Sequence, residues 1–171
     1  TFDFANQAAG TAALNLANTY DKASIFFSFG VTGAAVGAKT YYFDDITFIG
    51  GGGLALTSPF TDINFSTAGV SYSFAGFAGA EDSALAPDPT NAGNTVVRVR
   101  RSGTAELFAG TTMATGPANS VGRIPFTATS TRMSVRVYSP AAGIKVRLKA
   151  EDAADPTHSV ETEATTTLAN A

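Results

Sequence analysis

Apolar residues recur at every second position through short stretches of this chain, and Gly, Pro, Asn or Asp breaks each stretch before it grows long. In 132–138, Met133, Val135 and Val137 alternate with Arg132, Ser134, Arg136 and Tyr138. In 144–149, Ile144, Val146 and Leu148 alternate with Lys145, Arg147 and Lys149. A period of two puts each set on its own face of a strand, and the β-branched and aromatic content of these runs favours strand over helix. The strongest strands are expected over 23–29, 41–49, 70–77, 95–100, 132–138, 144–149 and 159–167, within a total of about a dozen. Many short strands with Gly/Pro-rich connections imply an all-β sandwich or barrel. Ser139-Pro-Ala-Ala-Gly143 reads as a tight turn, so 132–138 and 144–149 are expected to pair antiparallel as a hairpin.

At 171 residues the chain can bury one core, and two independent domains are not expected. Charged residues make up 15% of it, against roughly 25% in a typical soluble domain. Small neutral polar groups must therefore cover much of the surface, which suits an extracellular protein. There is no Cys, which excludes disulfides, thiolate metal sites and cysteine nucleophiles. The single histidine, His158, sits in the turn-like Asp155-Pro-Thr-His158 with no glycine-elbow serine near it, so serine hydrolysis has no base. Most acids, such as Glu81-Asp82 and Glu151-Asp152, read as loop or turn residues, and no enzyme is expected. No run approaches the roughly 18 apolar residues of a membrane helix, and Thr1-Phe-Asp-Phe4 has no leader-like pattern. The expectation is a mature or excised piece of a secreted protein, without membrane insertion. Gly50 to Gly53 reads as a joint, dividing the chain into 1–49, a Gly-rich linker over 50–58, and 59–171. The first piece is too short to stand alone.

Several stretches carry a resemblance. Ile124-Pro-Phe-Thr-Ala-Thr, Met133-Ser-Val-Arg-Val-Tyr-Ser-Pro140, Gly143-Ile-Lys-Val-Arg-Leu-Lys-Ala-Glu-Asp152 and Glu161-Thr-Glu-Ala-Thr-Thr-Thr167 resemble a bacterial extracellular jelly-roll module of carbohydrate-binding type. Thr1-Phe-Asp-Phe4, Ala23-Ser-Ile-Phe-Phe-Ser-Phe29 and Tyr41-Tyr-Phe-Asp-Asp-Ile-Thr-Phe48 resemble the same module's second half, so the two halves stand in reversed order. Such modules also carry a Trp-containing stretch between the equivalents of Ala171 and Thr1, absent here. The resemblance implies a jelly-roll β-sandwich, either circularly permuted or completed by strands from a neighbouring copy in a tandem array. It implies a non-catalytic carbohydrate-binding or adhesive repeat module; the alternative is a structural subunit of an extracellular filament or surface array.

The resemblance also implies a structural calcium site using Asp44 or Asp45 near the last strand, with first-strand oxygens from Asp62-Ile-Asn-Phe-Ser66. Ser66 stands where that pattern tends to show an acid. Adjacent strand residues point to opposite faces, so Asp44 and Asp45 are not expected to share one site; capping a turn or pairing with a base is the other reading. Residues 98–149 hold nine of the eleven bases and one acid, Glu106, a local balance of +8 against −11 for the remainder. Arg98, Arg100, Arg136, Lys145 and Arg147 alternate with apolar residues, so pairing can gather them on one solvent-facing sheet. Arg98, Arg100, Arg136, Arg147 and Tyr138 are thus the candidate face for an acidic polysaccharide. The same charges can dock another copy of the module, or be balanced by local acids. Nucleic acid is not expected for a chain of net charge −3 without a binding motif. Trp is absent, and Phe108 stands where related modules often carry it; Tyr42, Tyr72 and Tyr138 are further possible platforms.

Overall fold

The computed structural model describes residues 1–50 and 60–170. Alternation along each strand sends one set of side chains inward, and two sheets close over that set. The strands are β1 (Phe2–Asp3), β2 (Lys22–Phe27), β3 (Lys39–Ile49), β4 (Ser73–Phe77), β5 (Asp82–Asp88), β6 (Asn91–Arg101), β7 (Gly110–Ala114), β8 (Arg132–Tyr138), β9 (Lys145–Glu151) and β10 (Ser159–Thr165). One sheet runs β1-β8-β3-β6-β5 and the other β10-β9-β2-β7-β4, with antiparallel pairing throughout. The chain is an all-β sandwich. Most strand centres match the expected ones; β4 starts later than 70, β6 starts earlier than 95, and β9 runs on to Glu151.

The core is aromatic and dry. Phe27 stacks flat on Tyr41 at 4.7 Å, and Phe43, Phe65, Ile46 and Ile63 close around them. Each such side chain, fully buried, contributes roughly 1.5–3 kcal/mol of transfer free energy.

The expected hairpin does not form. β8 pairs with β1 and β3, whereas β9 pairs with β2 and β10 in the opposite sheet. Both strands have one dry face, and two dry faces can be buried side by side in one sheet or face to face across a core; period two does not distinguish the arrangements. The connection crosses the edge of the core, held where Gly143 donates its N–H to Thr166 O at 2.8 Å and Ser139 Oγ donates to Ala141 O at 2.7 Å.

Residues 1–49 do not wait for a neighbouring copy. Their strands β2 and β3 are each third of five in their sheets, flanked on both sides by strands from the later part of the same chain. Of the expected linker, only Gly50 lies within the described residues.

Candidate functional site

Arg98, Arg100, Arg136 and Tyr138 share the outer face of the first sheet, since Tyr42 is in register with both Arg98 and Tyr138, Thr40 with Arg100, and Asp44 with Arg136. Lys145 and Arg147 do not join them. They lie on β9 in the other sheet, so the five-base face is split by the same cross-core connection that removes the hairpin.

On the first sheet Arg136 is held by three carboxylates. Its guanidinium reaches Asp44 (Nη2 to Oδ2, 2.8 Å), Asp88 (Nη1 to Oδ2, 2.8 Å) and Asp45 (Nε to Oδ2, 3.0 Å). Asp44 and Asp45 were expected to face apart. Asp45 instead takes a positive φ of 48° where the β3–β8 register skips between Asp44 and Thr47, and this bulge turns both carboxylates onto one arginine. Asn94 Nδ2 donates to both Asp44 and Asp88, and Thr90 donates its N–H and hydroxyl to Asp88 Oδ1. Burial would raise the Asp88 pKa, but the donors from Thr90, Arg136 and Asn94 outweigh it and hold the carboxyl far below the usual range. Burial likewise would lower the Arg136 pKa, and its three carboxylates raise it instead. The Oδ2 atoms of Asp44 and Asp45 contact this guanidinium, Asp44 Oδ1 is buried without a hydrogen-bond partner among the described residues, and Asp62 Oδ1 accepts the Phe48 N–H at 3.1 Å.

The linear charge imbalance is cancelled by folding. Arg98 and Arg100 meet Asp82, Arg132 meets Asp3, Lys145 and Arg147 meet Glu163, and Lys149 meets Glu151; each of those acids comes from outside 98–149. Tyr138 rests edge-on against Tyr42 at 5.7 Å rather than standing free. The outer face of the first sheet is therefore a layer of ion pairs, with Asp44 Oδ1 and Arg98 Nε left buried without a hydrogen-bond partner among the described residues.

The outer face of the second sheet holds an open groove of about 520 Å³. Charged side chains line part of it. Arg147 donates Nε to Glu163 and Nη1 to Glu161, both at 2.8 Å, and its guanidinium carbon lies 3.5 Å from the centre of the Phe29 ring. Lys22 and Lys149 both pair with Glu151. Glu151, expected in a loop, is the buried last residue of β9; burial would raise its pKa, yet the two ammonium groups keep it lowered. Ser24 and Thr112 share a hydroxyl hydrogen bond of 2.8 Å across β2 and β7. Aromatic rings line the groove as well, with Phe26, the cross-strand neighbour of Arg147, edge-on to Phe29 at 5.7 Å and to Phe77 at 5.6 Å, and with Phe108 53% exposed. Gly110 is needed there: a Cβ on it would come 2.7 Å from Ile25 O and 2.8 Å from the Phe26 ring.

Arg101 sets the aromatic end. It is buried, and Nη2 donates to Val31 O at 2.8 Å and to Glu106 O at 2.7 Å, tying the loop after Phe29 to the loop that carries Phe108. Gly30 N–H adds a bond to Leu107 O at 2.9 Å. Burial lowers the Arg101 pKa. Sequence reasoning counted Arg101 only as one more base. The signal was available, because Arg100 and Arg101 are adjacent on a strand and one of them must face inward. The groove-facing Phe26 was masked by the apolar run Ile25-Phe-Phe27, in which only the first and last residues face the core.

Comparison with protein-family models, with curated proteins and with solved structures finds no match to this chain, so the groove and its neighbouring residues carry the functional argument alone.

Proposed function

We propose that the chain is a non-catalytic, carbohydrate-binding or adhesive module of a secreted protein, and that it holds a glycan in the groove on the outer face of the second sheet. One observation carries this reading: a single open trough is lined both by aromatic rings, with Phe108 half exposed, and by charged and hydroxyl side chains. Sugar C–H faces pack on rings while sugar hydroxyls need donors and acceptors within the same few ångströms, and this trough offers both. Its volume falls in the usual range for ligand sites. Lys22 and Lys149 share the one carboxylate of Glu151, which leaves positive charge for the carboxylate or sulfate of an acidic polysaccharide.

Titration calorimetry with a neutral glucan, a polyuronate and a sulfated polysaccharide tests it. Phe108→Ala and Lys149→Ala are expected to weaken binding of the preferred polymer by about tenfold each, a loss of roughly 1.4 kcal/mol. Arg98→Ala and Arg100→Ala, on the opposite sheet, are expected to leave it unchanged. Loss of binding in the second pair but not the first would move the site to the first sheet. No binding to any of the three would remove the glycan reading.

A further inference from the structure

Strand register lays out the groove in rows across the second sheet. Lys22 lies beside Glu151 in the first row, and Glu161, Lys149, Ser24 and Thr112 follow one another across the next. The third row runs Arg147, Phe26, Gly110, Phe77. Ionic, hydroxyl and aromatic chemistry therefore succeed one another along the strands. Phe26 lies four residues beyond Lys22 on β2, about 13 Å at the usual rise of a strand. That is longer than a single sugar ring, so adjoining sugars of one chain meet different side chains.

Charge is unevenly matched between these rows. Lys22 and Lys149 share the one carboxylate of Glu151, a surplus of one positive charge at that end. Toward the aromatic row, Arg147 and Lys145 are matched by Glu161 and Glu163. A carboxylate held over Phe26 and Phe77 would exchange water for ring carbons, in one row with Glu163, and both effects oppose it. The apolar face of a neutral sugar packs on the same rings without that cost.

On the glycan reading above, we infer that the groove takes a polysaccharide in which an acidic sugar adjoins a neutral one, rather than a polymer charged at every residue. The carboxylate of the acidic sugar meets Lys22 and Lys149, and the neutral sugar lies on Phe26 and Phe77. The hydroxyls of Ser24 and Thr112, joined at 2.8 Å, occupy the row between and are able to donate to or accept from the oxygens near the linkage. A neutral polymer suits the rings but leaves the surplus charge unmet. A polymer charged throughout meets that charge and brings further carboxylates onto the aromatic row.

The test titrates the full chain with β-linked oligosaccharides of equal length, built of glucuronate throughout, of glucose throughout, or of the two in alternation. The alternating chain is expected to bind about tenfold more tightly than either of the others. Lys149→Gln and, separately, Lys22→Gln remove the surplus charge, and each is expected to abolish the preference for the alternating chain over the all-glucose one. Equal or tighter binding of the all-glucuronate or the all-glucose chain would overturn the inference and leave the glycan reading standing. A preference that survives both substitutions would overturn it too, since the carboxylate would then owe nothing to the two lysines. Binding of none of the oligosaccharides would overturn the glycan reading and the inference together.

Discussion

Two arginines on opposite sheets each gather several carboxylates, and they do different work. Arg136 is itself nearly half exposed, but two of its partners, Asp44 and Asp88, are buried and reach nothing else of positive charge within salt-bridge distance among the described residues. Those acids are short side chains set by a backbone bulge and by the Thr90 turn, so the cluster has one geometry. Arg147 is the more buried of the two cations, yet its partners Glu161 and Glu163 are longer and partly exposed side chains of the neighbouring strand, and Glu161 lines an open groove. The contrast teaches that the number of ion pairs does not reveal their role. The length and exposure of the acid, and the space beside it, separate a buried clamp from the edge of an open groove.

The largest expected difference is in stability. Arg136→Ala strands two buried carboxylates and is expected to cost about 3 kcal/mol, at the lower end for a broken buried pair because the arginine is half exposed. Arg147→Ala leaves acids that water can reach and is expected to cost about 1–2 kcal/mol. Chemical denaturation of both variants measures the gap; equal costs would mean that the two clusters are the same kind of device.

Acid sharpens the comparison next. Asp88, Glu151 and Glu163 all have folded pKa values below their unfolded ones, so each contributes stability that is fully present above roughly pH 4–5 and fades as pH falls toward the folded value. Asp88 is shifted furthest, and its share is lost over the widest acid range. Stability is expected to fall steadily below about pH 4, and the slope is expected to be shallower in Arg136→Ala than in Arg147→Ala. A melting series from neutral to acid pH reads it directly.

A smaller effect separates groove from clamp. Phe108→Ala is expected to change stability by no more than about 0.5 kcal/mol, because the ring is half exposed, while weakening polysaccharide binding. Smallest of all is the response to metal. With a guanidinium already among Asp44, Asp45 and Asp88, adding calcium or EDTA is expected to leave the melting temperature unchanged, and a calcium-dependent rise would show that the ion displaces Arg136.

What was legible in the sequence follows from the range of the forces involved. The extent of β8 is readable to the residue because alternation is local, and so is the all-β class. Which sheet β8 joins is not, because Met133, Val135 and Val137 would be equally content beside Val146 and Leu148 or facing them. The concentration of bases in 98–149 is plain in the sequence, but their partners Asp3, Asp82 and Glu163 lie far away along the chain, so cancellation appears only on folding. Phe108 could be singled out through a resemblance; that Arg101 holds its loop could not, since the bond runs to the backbone carbonyl of Val31, seventy residues away. The bulge at Asp45 leaves no mark in a pattern that assumes strict alternation.

The central place of β2 and β3 has a further consequence. Each sheet takes its middle strand from the first fifty residues and both neighbours of that strand from the remainder, so the two pieces are interleaved rather than adjoined. A chain cut between residues 50 and 60 would give two fragments, each missing strands from both sheets and each carrying half of one shared interior. Neither can hide its apolar surface alone, and together they can reassemble only as a pair. The fold therefore contains the logic of a complementation reporter, in which bringing two fragments near one another is read out as the appearance of a folded sandwich.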